Sequence, residues 1–208
     1  MSTVHESTSD LLGLTWDVAT LFPRQGEWSD IEYLNLTDDL TQLVELTDGR
    51  LEILEMPTTS HQQMVFKLVR QLSDFVESRK LGTALMAPLR VQLRPGIFRE
   101  PDVVFALTEH RHFIQDDFWT GADLVIEVVS AGPKSRRRDL DEKRRDYAAS
   151  GIAEYWIVDP LAKTISVLEY AGTAYTEIGA YRESQLAHSR LLSGFSVSVS
   201  DIFGIATV

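Results

Sequence analysis

The sequence contains no cysteine among its 208 residues. It can therefore form no disulfide, no thiol nucleophile and no cysteine-based zinc site. This absence agrees with a reducing compartment, and we expect a cytoplasmic location. No apolar run approaches the roughly 18 residues that a membrane span needs. The polar, acidic start lacks the pattern of a signal peptide, so we expect a soluble protein with no membrane partner.

Positive charge is also scarce, since 20 Lys and Arg face 31 Asp and Glu and give a formal net charge of −11. A strongly acidic surface repels phosphates, which argues against broad, non-specific nucleic-acid binding. The exception is the segment 134–145, where seven Lys and Arg residues crowd together. Two interpretations stay open for this segment: a basic catalytic groove, or a solvated helix face balanced by the acidic residues within it.

Several motifs of well-known chemistry are absent. Neither GxxxxGK[ST] nor GxGxxG occurs in the sequence, so nucleotide-driven chemistry has no support. The histidines show no convincing metal-ligand spacing, because His110 and His112 lie two apart but lack a third ligand nearby.

The hydrophobic pattern predicts one α/β domain with a mixed sheet flanked by helices. Residues 1–27 lack periodicity and are predicted to be an N-terminal arm, and 28–208 form the domain. Predicted helices cover 28–40, 60–80 (capped by Ser60 and Gln63) and 140–150 (capped by Asp139 and Glu142 and stopped by Gly151). Predicted strands cover 42–46, 51–54, 89–93, 98–107, 124–129, 154–158, 164–170 and 174–178, and a tail over 194–203 closes the core.

Two carboxylates interrupt apolar, β-branched runs. Asp102 precedes Val103 and Val104, and Glu127 lies within the strand predicted over 124–129. An unpaired carboxylate is costly to bury, so each side chain caps a strand end, has a partner in the core, or binds a metal. Two of them on neighbouring strands favour Mg²⁺, which needs few carboxylates beside water and substrate oxygens. The pair therefore indicates metal-assisted hydrolysis of a phosphodiester.

The helix predicted over 140–150 adds a lysine to this pair. Leu140, Lys143 and Tyr147 share one helix face, and the two apolar members should turn toward the sheet. The Lys143 ammonium can then approach Glu127 and orient water or offset charge on the phosphorus. The alternative is a lysine whose stem packs while its ammonium reaches water.

An ordered set of motifs resembles the Uma-type restriction endonucleases, a family of the PD-(D/E)xK nuclease superfamily once known only as a domain of unknown function. The resemblance covers about residues 30–205. The motifs are Glu45 to Gly49, Met56-Pro57 followed by His61, Pro101 to Val104, Asp123 to Ser130, Arg138-Asp139, Lys143 to Tyr147, and Gly151 with Glu154 to Pro160.

The resemblance implies a restriction-endonuclease-like fold and a Mg²⁺- or Mn²⁺-dependent site. Asp102 and Glu127 would be metal ligands, and the carbonyl of Val128 a further one. Val129 stands where the superfamily has its lysine, and Lys143 resembles a migrated replacement.

Two more residues are candidates through the resemblance. Glu45 resembles the acidic residue that many superfamily members place before the catalytic strands; its alternative is a charged residue at a hairpin edge. His61 matches a histidine at the head of the family's first long helix, where it would contact phosphate or assist proton transfer. Its alternative is an exposed or merely hydrogen-bonded side chain.

We therefore predict a metal-dependent DNA endonuclease. One alternative is a catalytically silent nucleic-acid-binding or assembly module that keeps the nuclease fold, and another is a metal hydrolase that does not act on DNA. We also predict a homodimer, because two single-site subunits match the twofold symmetry of a DNA duplex.

Overall fold

The computed structural model describes residues 22–204, so most of the predicted N-terminal arm lies outside the described residues. The helices are α1 (Asp30–Asp38), α2 (Thr59–Ser78), α3 (Pro133–Arg137), α4 (Lys143–Ala149) and α5 (Val199–Phe203), with a 3₁₀ helix at Thr108–Phe113 and a π-helical turn at Arg138–Glu142. The strands are β1 (Val44–Thr47), β2 (Arg50–Ile53), β3 (Gly82–Met86), β4 (Val91–Arg94), β5 (Ile97–Arg99), β6 (Val103–Leu107), β7 (Leu124–Val128), β8 (Glu154–Asp159), β9 (Thr164–Tyr170), β10 (Tyr175–Tyr181), β11 (Leu186–His188) and β12 (Ser196–Ser198).

A six-stranded mixed sheet in the order β10-β9-β8-β7-β6-β3 forms the centre of the described chain. Its strands pair antiparallel except β7 and β8, which run parallel and are joined through α3 and α4. A parallel pair requires such a crossover connection. The predicted mixed sheet flanked by helices is confirmed.

The two faces of the six-stranded sheet bury different side chains. Leu124, Ile126 and Val128 of β7 pack with α2 residues such as Leu68 and Leu72 in one core cluster. Val125 packs with α4 residues in a second cluster, together with Val129 just after the strand. Because side chains alternate along a strand, Glu127 points to the face that α4 covers.

A second sheet of four strands, in the order β2-β1-β5-β4, lies beside the first. The strand predicted over 98–107 is wrong as one element, because β5 belongs to the small sheet and β6 to the large one. Pro101 separates them, since proline has no backbone N–H for a strand ladder and restricts the residue before it. The break places Glu100 and Asp102 at the junction of the two sheets.

The helix predicted over 140–150 begins too late. The helical segment starts with α3 at Pro133, a residue suited to the first helical position, and passes through the π-helical turn into α4. Asp139 is therefore not an N-cap; its side chain is buried and accepts from Ser130 N at 3.3 Å and Arg138 Nε at 3.1 Å. Gly151, with φ of +75°, follows the end of the helix as predicted.

The first long helix also begins slightly earlier than predicted. Its N-cap is Thr58, whose hydroxyl accepts from His61 N at 3.2 Å, so the predicted capping box of Ser60 and Gln63 is wrong. Within residues 22–204, no helix combines the length and apolar composition needed to cross a membrane.

The end of the predicted arm that the structure describes lies against the β1–β2 hairpin. Gly26 N donates to Gly49 O at 2.7 Å, and Leu51 N donates to Gln25 Oε1 at 2.8 Å. These bonds attach residues 25 and 26 to the small sheet.

Candidate active site

Asp102 and Glu127 meet across neighbouring antiparallel strands. Val103 of β6 lies opposite Ile126 of β7, and continuing this register sets Asp102 opposite Glu127. Asp102 Oδ2 accepts a hydrogen bond from Val128 N at 2.7 Å, which fixes the carboxylate beside the end of β7. The sheet register thus brings together the two acidic residues that the sequence placed on separate strands.

Lys143 and Tyr147 of α4 both reach the Glu127 carboxylate. Lys143 Nζ lies 2.8 Å from Glu127 Oε1, and the Tyr147 hydroxyl donates to the same oxygen at 2.5 Å. Lys143 is only 2% exposed, so the alternative of an ammonium that reaches water is wrong. Charge-assisted hydrogen bonds of this kind hold a side chain in one orientation.

The position of Lys143 agrees with the sequence departure at Val129. Glu127 and Val129 lie two residues apart on the α4-facing side of β7, and Val129 is buried in the apolar cluster there. A lysine two positions along a strand would approach Glu127 on this face. Lys143 reaches the same carboxylate from the helix that covers the face.

Glu45 links the small sheet to this cluster. Leu46 pairs with Phe98, so Glu45 lies opposite Arg99, whose Nη1 donates to Glu45 Oε2 at 2.7 Å. Glu45 Oε1 lies 3.2 Å from Lys143 Nζ. Glu45 is fully buried, which contradicts the alternative of a charged residue at an exposed hairpin edge.

His61 lies at the start of α2, beside Asp102 and the end of β7. Its Nε2 lies 3.0 Å from Val128 O and 3.3 Å from Asp102 Oδ2. Burial disfavours the charged imidazole, but Asp102 and the Val128 carbonyl outweigh it and raise the pKa of His61. The alternative of an exposed histidine is wrong, because only 13% of the side chain is exposed.

The surroundings shift the pKa values of the buried acids of the site in different directions. Burial raises the pKa of Glu127, although the Lys143 ammonium acts in the opposite direction. For Glu45, burial is outweighed by Lys143, Arg99 and Arg138, which lower its pKa to about 2. Burial and the Glu45 charge raise the pKa of Glu100 to about 7.

A cavity of about 40 Å³ opens between these residues. Five carboxylates line it, against the two cationic side chains of Arg138 and Lys143. The lining carboxylates are Glu55, Glu100, Asp102, Glu127 and Asp139. The cavity therefore has room for an ion with little else, and an excess of negative charge around it.

The residues around the cavity fit a small divalent cation. Asp102 Oδ1 and Glu127 Oε2 accept no hydrogen bond from the described residues and stay available. Within residues 22–204, no three His, Cys, Asp or Glu side chains form a complete ligand group. Two carboxylates and the Val128 carbonyl suit Mg²⁺, because this ion keeps several of its waters.

Three cations of the basic segment 134–145 form ion pairs with acidic residues outside the segment. Lys134 and Arg138 pair with Glu52 at 2.9 Å and 3.3 Å, and Arg136 binds both oxygens of Asp159. Glu52 and Asp159 lie outside the segment, so these ion pairs match neither a free basic groove nor a helix face balanced only by its own acidic residues.

Sequence reasoning missed four members of the buried cluster as site residues. Arg99 and Glu100 directly precede the Pro101-Asp102 motif. Two charged residues beside an apolar run were the signal that could have indicated them. Tyr147 was expected only to pack, and Asp139 only to cap a helix. The contacts of Arg99, Glu100 and Tyr147 with Glu45 and Glu127 join residues distant in sequence, so spacing alone carries no signal for them. Asp139 lies 3.8 Å from Lys143 at a spacing of four residues, which was an available signal.

A mixed sheet with two carboxylates on neighbouring strands and a lysine from a flanking helix is the arrangement expected of the restriction-endonuclease-like fold. Residues 30–200 match the Uma2 family, described as "Putative restriction endonuclease", and the chain belongs to this family. The predicted family is confirmed.

A solved structure shares the fold. It is described as the "crystal structure of a putative nuclease belonging to DUF820" from Anabaena variabilis, with a TM-score of 0.68 and 18% sequence identity. The match covers 82% of this chain and 97% of that one. No curated protein matches the sequence.

Proposed function

We propose that this protein is a DNA endonuclease that hydrolyses phosphodiester bonds with Mg²⁺ or Mn²⁺. The observation that carries the proposal is the meeting of Asp102 and Glu127 at one small cavity, with Lys143 held against Glu127. Family membership supports the nuclease class, and the acidic cavity supports the cation.

Asp102, Glu127 and the Val128 carbonyl would hold the ion. When bound, the ion polarises the phosphate and lowers the pKa of its water. The protein's own groups supply orientation: Val128 N fixes Asp102, and Lys143 with Tyr147 fixes Glu127. The Lys143 ammonium also supplies positive charge beside the developing phosphorane.

His61 and Glu45 support this arrangement from two sides. Val128 O and the Asp102 carboxylate are both acceptors, so His61 Nε2 carries a proton and donates toward them at the head of α2. Glu45 holds Lys143 from the small sheet at 3.2 Å. Both residues therefore act by positioning the groups that face the cavity.

Plasmid cleavage tests the proposal. Supercoiled DNA with Mg²⁺ or Mn²⁺ should be nicked or linearised by the wild type, and Asp102→Asn and Glu127→Gln should each lower the rate by about 100-fold or more. Asp74→Asn, which changes an exposed carboxylate on α2, should cleave as the wild type does. Equal cleavage by all four proteins would mean that this site is not responsible.

The alternative of a catalytically silent nucleic-acid-binding or assembly module is motivated by the acidic balance and by Val129 in place of a lysine. Lys143 brings an ammonium to Glu127 without a lysine at position 129, which supports the enzyme. Lys134, Arg136 and Arg138 pair with Glu52 or Asp159, which leaves less free positive charge for binding DNA. A metal hydrolase that ignores DNA would turn over small phosphoesters and leave the plasmid intact, so the same assay separates it.

We propose a homodimer as the form that cuts both strands. The described residues of one chain form one such cavity with Asp102 and Glu127. Two chains related by a twofold axis match the symmetry of the duplex. Light scattering at micromolar concentration, with and without DNA, should show the dimer; only monomer in both conditions would contradict it.

A further inference from the structure

Glu100 has an unusual place in the structure. It lies between β5 and β6, where the chain crosses from the small sheet to the large one, and only 7% of the residue is exposed. Its Oε2 is buried and has no hydrogen-bond partner among the described residues. Its side chain lines the same cavity as Asp102 and Glu127.

Burying a carboxylate oxygen without a hydrogen-bond partner costs free energy. Neither Lys143 nor Arg138 donates a hydrogen bond to Glu100 Oε2. The closest carboxylates to Lys143 Nζ are those of Glu127, Glu45 and Asp139, at 2.8, 3.2 and 3.8 Å. Arg138 donates to Asp139 and Glu52. A buried polar group without a partner calls for a water, an ion or a functional reason.

The backbone of Glu100 is held in place on both sides. Glu100 N donates to Glu45 Oε1 at 3.1 Å, and the rigid Pro101 follows directly. The position two residues before Asp102 therefore presents a second acidic side chain to the cavity from the same crossing segment.

We propose that Glu100 is a third acidic group of the cation site, binding the hydration shell of a hard divalent ion held by Asp102 and Glu127. The inference rests on the proposed function and deepens it. Contact through a water agrees with the absence, within residues 22–204, of three side chains that directly enclose an ion. It also agrees with the reluctance of Mg²⁺ to lose its waters.

Calorimetric titration of the full chain with MnCl₂, without DNA, tests this role. Glu100→Gln keeps the shape of the side chain and removes no hydrogen bond of Oε2, so the fold should hold. Loss of an outer-shell partner weakens metal binding by about 10- to 100-fold, and we expect Kd to rise by at least about tenfold. Asp74→Asn removes an exposed charge on α2 that does not line the cavity, and should change Kd less than about twofold because solvent screens it.

Melting curves give a second readout. Without metal, Glu100→Gln should melt at the same temperature as the wild type or higher, because a buried charge has gone. With Mn²⁺, its melting temperature should rise less than that of the wild type. These curves also verify that the variant is folded.

The outcomes separate this inference from the function beneath it. If the wild type binds Mn²⁺, Asp102→Asn abolishes binding and Glu100→Gln binds as the wild type does, Glu100 has no role in the site while the proposed function stands. An equal loss in Asp74→Asn would also overturn the inference, because it would show a general charge effect. If the wild type takes up no Mn²⁺, both the cation site and the role of Glu100 fail.

Discussion

Replacing Lys143 with methionine should strongly destabilise the protein. The Lys143 ammonium lies 2.8 Å from Glu127, 3.2 Å from Glu45 and 3.8 Å from Asp139, and all four side chains are almost fully buried. Methionine keeps the apolar stem but removes the ammonium that bridges these three carboxylates. Three acids would then face one another with Arg99 and Arg138 as their remaining cationic neighbours.

The size of the effect follows from the burial. Removing one partner of a buried ion pair costs about 3–5 kcal/mol, a large part of the roughly 5–15 kcal/mol that stabilises a typical domain. At roughly 2–4 °C per kcal/mol for a chain of this size, the melting temperature should fall by about 6–20 °C. The cleavage reaction would also lose the positive charge of the ammonium, so turnover should fall at temperatures where the variant is still folded.

Urea unfolding at neutral pH measures this cost, with Arg137→Met as the matched control. Arg137 lies in the same helical segment, its side chain is 76% exposed, and its Nε lies 3.5 Å from Glu142. An exposed pair of this kind contributes at most about 1 kcal/mol. If Lys143→Met unfolds within about 1 kcal/mol of the control, the buried cluster does not depend on the ammonium and the reasoning is wrong.

Two further predictions concern acid stability and the basic segment. The folded pKa of Glu45, about 2, lies below its ordinary value of 4.5, so its stabilisation is present above pH 4.5 and is lost as the pH falls toward 2. In urea titrations across this range the wild type should lose about 3 kcal/mol more than Glu45→Gln; parallel profiles would contradict this. Arg144 Nη2 donates to Tyr175 O at 3.1 Å, so Arg144→Ala should lower the free energy of unfolding by about 1 kcal/mol. The salt dependence of DNA binding, measured by fluorescence anisotropy, should not change; a slope smaller by about one would reveal a phosphate contact.

The sequence predicted the elements that depend on local pattern. The continuous apolar run of β7 and the long amphipathic α2 both follow from the pattern of apolar residues. The helix face shared by Lys143 and Tyr147 was also predictable, because α4 keeps helical spacing over those residues. These features need no knowledge of distant contacts.

Other features depend on contacts that spacing does not encode. The helical segment that begins at Pro133 had a local signal in Gly132-Pro133. Asp139 and Glu142 also match the pattern of a capping box, and this pattern predicts a start that is too late. The break at Pro101 had a signal too, although the run from Phe98 to Leu107 reads as one apolar strand. Burial of Glu45 had none, because it arises from Arg99 and Lys143 on other elements.

The ion pairs make the site a property of both sheets. Arg99 of the small sheet holds one oxygen of Glu45, and the other oxygen lies 3.2 Å from Lys143 on the helix of the large sheet. Lys143 in turn holds Glu127 opposite Asp102. The ammonium cannot move toward a phosphate without leaving Glu45 or Glu127, so its charge acts from a fixed point. Any change in the β1–β5 register would therefore shift Glu45 and, through Lys143, the carboxylate that faces the cavity.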